Sequence, residues 1–191
     1  MESARGQLLI AGPALLDPNF WRTVVLIVEH SEEGALGVVL NRPSETTVLD
    51  AVSQLEEIVD PDDPVFIGGP VQPSSVIVVA EFEDPTDAAL VAFEDIGVLA
   101  AGSEPDELTG ADGAGGAGGA GIRRARAFVG HAGWGPGQLD GELERGDWIV
   151  EGARREDAFA EDPGGLWEDV LTRKGGSYAL LARMPPDPSV N

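Results

Sequence analysis

Residues 23–30 read TVVLIVEH, with five aliphatic residues in a row from Val24 to Val28, and a second apolar run, ALGVVL at 35–40, follows four residues later. A short unbroken apolar run offers no polar face, which describes a strand buried on both sides of a sheet. The intervening residues 31–34, SEEG, end on the glycine that a hairpin loop favours. Asn41-Arg42-Pro43 closes the second strand, because proline cannot donate to a ladder. With His30 opposite Ala35, Val24 faces Asn41 and Thr23 faces Arg42, so Arg22 and Arg42 meet at the open end. Glu29 and His30 lie at the turn and point to opposite faces, so they do not form a dyad. About seven strand residues of about 3.3 Å each separate His30 from Arg22, which argues against one compact site using both ends.

The rest of the chain supplies short strands and short helices. Strands are expected at 7–11, 76–82, 88–93, 96–100, 123–131 and 147–150, and residues 65–67 lead into Gly68-Gly69-Pro70. A loop surrounds Asp17-Pro18-Asn19, where the Asx side chains and proline favour a turn. Residues 47–59 place Val48, Val52, Leu55, Ile58 and Val59 at helical spacing, and Thr47 with Asp50 resembles a capping box. A helix is expected over 136–145, with Pro136 in its first turn. Another starts at Asp162-Pro163, carries Leu166, Trp167, Val170 and Leu171 on one face, and stops at Gly175. Residues 178–182 pack last. Hairpins mixed with helices, rather than alternating βαβ units, indicate an α+β fold. It is one domain over 1–191, with a mixed, largely antiparallel, curved or partly barrel-like sheet and flanking helices. Seven glycines mark 110–121 as a flexible Gly/Ala-rich loop insertion, read either as a mobile lid or as a tolerated surface insertion. Residues 185–191 form a tail.

Charge excludes more than it selects. The formal net charge is -22, from 34 acids and 12 bases. Residues 43–122 contain 17 acids and no Lys or Arg, while nine of the twelve bases lie beyond residue 122 among twelve acids. Non-specific DNA affinity comes from Lys and Arg displacing counterions, so direct nucleic-acid binding is not expected. Anionic lipid would repel such a chain. The acidic stretch is either a solvated face, or a contact for a basic partner or a mimic of nucleic acid, with the acids of 81–87 as the contact to test. There is no cysteine, so thiolate chemistry is excluded, and two isolated histidines make a zinc site implausible. No metal and no cofactor are expected. The longest apolar runs, such as 24–28, 76–80 and 96–102, are far too short to span a bilayer, and the N-terminus does not read as a signal peptide. A cytoplasmic location without membrane attachment is the expectation.

Two stretches carry the candidate chemistry. Arg22, Asn41 and Arg42 could grip a carboxylate or phosphate through forked guanidinium geometry, or could simply pair with acids such as Asp17. The segment from Gly130 to Leu139, GHAGWGPGQL, sets four glycines around Trp134 just before a helix. Its backbone, Trp134 and Gln138 could line a pocket; alternatively the glycines allow positive φ while Trp134 plugs the core. Gly68-Gly69-Pro70 allows the same two readings. No Walker, Rossmann or GxSxG pattern is present.

The segment LLIAGPALLDPNFWRTVVLIVEHSEEGALGVVLNRP resembles the opening block of the YqgE/AlgH family of bacterial proteins. FIGGPV resembles its second block and GHAGWGPGQLDGELERGDWIV its third; LWEDVL and the ending DPSVN also fit. The resemblance runs from Gly6 to Asn191, apart from the acidic middle and the Gly/Ala insert. Family motif positions that carry over include Pro13, Asp17, Pro18, Phe20, Arg22, Glu29, His30, Gly34, Gly37, Asn41 and Pro43. Gly68, Gly69, Pro70, Gly133, Trp134, Gly137, Gln138, Leu139 and Trp148 carry over as well. Many members have Cys where Val28 stands and Tyr where His131 stands, so a thiol role is absent here. The resemblance implies a single α+β domain and brings no reaction with it. Some members are described as transcriptional regulators.

Two functions therefore stand. One is a non-enzymatic cytoplasmic regulator that acts through a protein partner, without touching DNA itself. The alternative is a binder of small anionic molecules, or an enzyme, with a pocket formed near Trp134 and Arg22/Arg42 by Arg22, Asn41, Arg42, Gly68, Gly69, Trp134 and Gln138. No catalytic residue is assigned.

Overall fold

The unbroken apolar run at 24–28 is the centre of β2 (Val24–Ser31), and both its faces are buried. Alternate side chains leave the strand on opposite sides. Val24, Leu26 and Val28 enter one core cluster; Val25 and Ile27 enter another. Each such side chain contributes about 1.5–3 kcal/mol relative to exposure. The partner strand is β3 (Gly34–Val39), and His30 pairs with Ala35 as expected. The register then slips: Ile27 pairs with Gly37, so Val28 is the extra residue of a bulge. The expected facing of Val24 with Asn41 and Thr23 with Arg42 is therefore off by one. Leu40 N–H donates instead to Val24 O at 2.8 Å.

A computed structural model describes residues 3–13, 15, 17–99 and 121–184. The insertion at 110–121, apart from its last residue, and the tail 185–191 lie outside the described residues. The remaining strands are β1 (Gln7–Ala11), β4 (Pro43–Thr47), β5 (Pro64–Ile67), β6 (Val71–Phe82), β7 (Leu90–Phe93), β8 (Ile96–Val98), β9 (Ile122–Trp134) and β10 (Trp148–Gly152). They form one ten-stranded sheet in the order β10-β1-β2-β3-β9-β6-β8-β7, with β5 joining β4 to β9. The β5–β9 pair is parallel and the other pairs are antiparallel, so the sheet is mixed, largely antiparallel and open. With its helices this is the expected α+β fold.

Helices cover both faces. They are α1 (Val48–Val52), α2 (Gln138–Arg145), α3 (Arg155–Ala158), α4 (Leu166–Lys174) and α5 (Ser177–Leu181). Leu166, Trp167, Val170 and Leu171 of α4 pack on one face of β1 and β2. Leu139 of α2 packs on the other face with Trp134 and Trp148. Val48 and Val52 of α1 cover β6 and β9. The helix expected over 47–59 is only five residues long and passes into a 3-10 turn at Ser53–Leu55. Thr47 caps it, with its Oγ1 accepting from Asp50 N–H at 3.3 Å. The helix expected from Pro136 begins at Gln138, because β9 runs on to Trp134 and Gly137 turns the chain at φ 69°. Among the described residues no helix is long and apolar enough to cross a membrane.

The acidic middle is partly neutralised from within. Glu81 is only 5% exposed. It receives Arg124 Nε at 2.6 Å, with Arg123 and Arg155 within 3.6 Å. Asp95 pairs with the same Arg123 and Arg155, at 3.1 and 2.8 Å. Asp84 accepts from the backbone and hydroxyl of Thr86, which hold its carboxyl below the usual carboxylate range. Two acids of 81–87 thus have internal work, which makes that segment a poorer partner contact than its sequence suggests.

Candidate binding face

Asp17 begins the first wall of the site. Its Oδ1 accepts from Asn19 N–H at 2.9 Å, the Asx turn expected there, and its carbonyl accepts from Phe20 and Trp21. The chain then bends sharply, with Arg22 at φ 52°. The Arg22 guanidinium stacks 4.5 Å over Trp167 and 5.4 Å over Trp21, donates to the carbonyl of Met184, and lies 3.7 Å from Glu168. Its acid partner is therefore Glu168 rather than Asp17. Asn41 is almost fully buried: its Oδ1 accepts from Val24 N–H at 2.9 Å and its Nδ2 donates to Arg22 O at 2.8 Å. Both residues hold the strand ends together.

Arg42 differs from its neighbours. Its Nη2 donates to Trp21 O at 2.6 Å. Burial pushes its pKa below the ordinary arginine value. It lines a cleft of about 190 Å³ with Pro18, Asn19, Ile67, Gly69 and Pro70. Gly68 lies just behind, with its carbonyl accepting from Val39 N–H at 2.8 Å. The Gly69 backbone, at φ +152°, approaches β9 so closely that a Cβ there would sit 2.2 Å from the His131 carbonyl carbon. These glycines bring the loop down onto β9 and shape the cleft wall. Ile67, which lines it, is 49% exposed, and Trp21, whose carbonyl binds Arg42, is 37% exposed.

Trp134 and Gln138 belong to a second cluster. Trp134 is 7% exposed, stacked 6.4 Å from Phe20 and edge-on to Trp148 at 6.1 Å. Its Nε1 donates to Glu142 Oε2 at 2.8 Å, as does Trp148 Nε1. Gln138 Nε2 donates to the other oxygen of Glu142 at 3.0 Å, while Gln138 Oε1 accepts from Gly135 N–H. Trp134 therefore plugs the core, with one edge on a cleft of about 200 Å³ that also contains Glu29. The structure does not bring Trp134 and Gln138 into one pocket with Arg22 and Arg42.

His30 faces the opposite way from Glu29, as strand alternation requires. Its Nδ1 accepts from Ala4 N–H at 3.0 Å and its Nε2 lies 3.5 Å from Asp140 Oδ1. Nδ1 is thus engaged, whereas the Nε2 approach leaves Asp140 Oδ1 without a hydrogen-bond partner among the described residues. A third cleft, about 220 Å³, opens beside Ser3, Glu32 and Asp140. Among the described residues no group of three or more His, Cys, Asp or Glu is placed to hold a metal ion.

Sequence reasoning missed Glu142, Asp140, Trp21 and Ile67. Glu142 carried a usable signal, since it stands four residues after Gln138 on the same helix face. Nothing in the pattern marks Trp21 and Ile67 as exposed, because apolar residues are normally read as core.

A family model described as AlgH-like matches residues 8–179. A UPF0301 protein of Thermobifida fusca is 38% identical over 192 residues, covering 99% of this chain and 96% of its own length. Another, from Chlorobaculum tepidum, is 39% identical over 186 residues, with 97% and 95% covered. The fold matches the crystal structure of a Corynebacterium diphtheriae protein with a TM-score of 0.74 at 30% identity, covering 96% of this chain and 94% of that one. It matches the solution structure of the AlgH protein from Pseudomonas aeruginosa with a TM-score of 0.69 at 28% identity, covering 96% and 95%.

Proposed function

The chain belongs to the AlgH-like family, and we propose that it is a non-enzymatic cytoplasmic regulatory protein that acts by binding other proteins. The observation that carries this reading is the face beside Arg42. There an exposed isoleucine, Ile67, shares a cleft with a partly desolvated arginine that donates to the backbone carbonyl of Trp21, itself a half-exposed tryptophan. Trp and Arg dominate the energetic centres of protein interfaces. Two of the candidate groups elsewhere have structural work: His30 Nδ1 accepts from Ala4 N–H, and the Glu142 carboxylate accepts three donors. The three clefts described above, at about 190–220 Å³, each fall below the roughly 300 Å³ at which small-molecule sites begin. An influence on transcription, suggested by the family, would run through a protein, because the net charge of -22 disfavours duplex DNA.

The test is chemical crosslinking in cells, comparing the natural chain with Ile67→Asp. A discrete partner that disappears with Ile67→Asp supports the reading, provided that variant melts normally. Tight binding of the purified protein to duplex DNA at physiological salt overturns it. The alternative, an anionic small-molecule binder, is favoured by the same Arg42. It would win if a metabolite thermal-shift screen gave a saturable hit lost in Arg42→Ala, with no partner captured.

A further inference from the structure

Arg42 sits in a chain with 34 acids and only 12 bases. Yet among the described residues no carboxylate lies within 4.0 Å of its guanidinium. Its hydrogen bond to Trp21 O uses one of five N–H donors. Arg22 and Asn41, which could have shared a ligand with it, are committed to Trp167, Glu168, Met184 and the ends of β2. Arg42 is therefore a lone fork at the wall of an apolar cleft built by Pro18, Ile67 and Pro70.

We propose that this cleft receives a segment of the protein partner in which an apolar side chain stands next to a carboxylate. The carboxylate meets Arg42 and the apolar group rests on Ile67, Pro18 and Pro70. This rests on the protein-binding reading above and names the chemistry of the partner. One guanidinium matches a carboxylate in two parallel hydrogen bonds. A phosphate dianion gathers several cationic groups, and here there is one guanidinium. The net charge of -22 also opposes a dianion more strongly than a monoanion. About 190 Å³ holds a side chain and its neighbouring carboxylate rather than a nucleotide. Burial of the guanidinium strengthens the attraction, since water competes less for it.

The probes are N-acetyl-leucine, its uncharged amide and inorganic phosphate. Each is titrated into the isotope-labelled full chain and followed by amide and arginine Nε–H resonances. The expected result is saturable shifts at Arg42, Ile67 and Gly69 with N-acetyl-leucine, weaker by about tenfold or more with the amide. Arg42→Gln should abolish the preference for the acid over the amide. Ile67→Ser, at a position 49% exposed, should weaken the acid as well while leaving the melting transition cooperative. Equal response to acid and amide, saturation by phosphate in preference to N-acetyl-leucine, or no shift at these residues overturns the inference. If N-acetyl-leucine fails while Ile67→Asp still abolishes partner capture, the carboxylate chemistry is wrong and the protein-binding reading stands. If N-acetyl-leucine binds and no partner is captured, the protein-binding reading falls, and with it the partner segment; the small-anion alternative then takes the cleft.

Discussion

Trp134 and Trp148 meet edge to face at 6.1 Å, and both indole N–H groups donate at 2.8 Å to the same oxygen of Glu142. One carboxylate thus joins the end of β9, the start of β10 and the helix between them. The indole rings are almost fully withdrawn from water, so the two N–H groups depend on that oxygen. Glu142→Ala leaves both unpaired and is expected to cost about 2–4 kcal/mol. Glu142→Gln keeps an acceptor oxygen and should recover a substantial part of that loss. Urea melts followed by tryptophan fluorescence give both values, and an alanine variant as stable as the natural chain would refute the clasp.

The close approach of the Gly68–Pro70 loop to β9 makes a second prediction. A Cβ at Gly69 would lie 2.2 Å from the His131 carbonyl carbon, at a φ that L residues rarely adopt. Gly69→Ala should therefore destabilise by about 3 kcal/mol or more, combining strain with displaced backbone. At Gly152 a Cβ meets nothing within 4 Å, so Gly152→Ala should change stability by less than about 1 kcal/mol. Comparable losses in calorimetry would remove the steric argument.

Asp157 is 3% exposed and holds Arg173 in a two-point bridge at 2.7 and 2.9 Å. It also accepts from Arg154 N–H at 2.7 Å. The hydrogen bonds that Arg173 donates to Asp157 raise the Arg173 pKa above its ordinary value despite burial. Asp157→Asn removes the charge that balances Arg173 and should cost about 3 kcal/mol. Asp157→Asn combined with Arg173→Met should be less unstable than the sum of the two single changes. Strict additivity in that cycle would mean the pair is not coupled.

His131 supplies a pH dependence. Burial pushes its imidazole below the ordinary histidine value, and its Nδ1 has no hydrogen-bond partner among the described residues. The folded chain favours the neutral ring, so the unfolded chain takes up the proton first as pH falls. The contribution is fully present above the unfolded pKa of about 6.5 and is lost as pH drops toward the lower folded value. His131→Phe should flatten the slope of unfolding free energy between about pH 7.5 and 5.5. Identical slopes in denaturant titrations across that range would show that His131 does not contribute.

The local elements were legible because their signals are local. Val24 to Val28 announce a strand buried on both faces, Asp17 with Asn19 a turn, and the apolar face at Leu166, Trp167, Val170 and Leu171 a covering helix. The register beyond Ile27 was not legible, because a bulge costs one residue and leaves no mark in composition. The helix at 47–59 was overcalled: Val48, Val52, Leu55 and Val59 are all buried, but a tightened turn buries them as well as a continuous helix does.

The candidate site divides in the same way. Residue types and spacing by themselves determined an acidic α+β chain with arginines at one hairpin end and glycines around Trp134, and the resemblance of its motif blocks marked it as AlgH-like. Which of those arginines is free was decided by tertiary structure alone. Arg22 and Arg42 are alike as residues, but the fold sets Trp167, Glu168 and the Met184 carbonyl against one and leaves an apolar cleft beside the other. Partners so distant in sequence are chosen by packing, and packing of that range leaves no periodicity for a sequence to display.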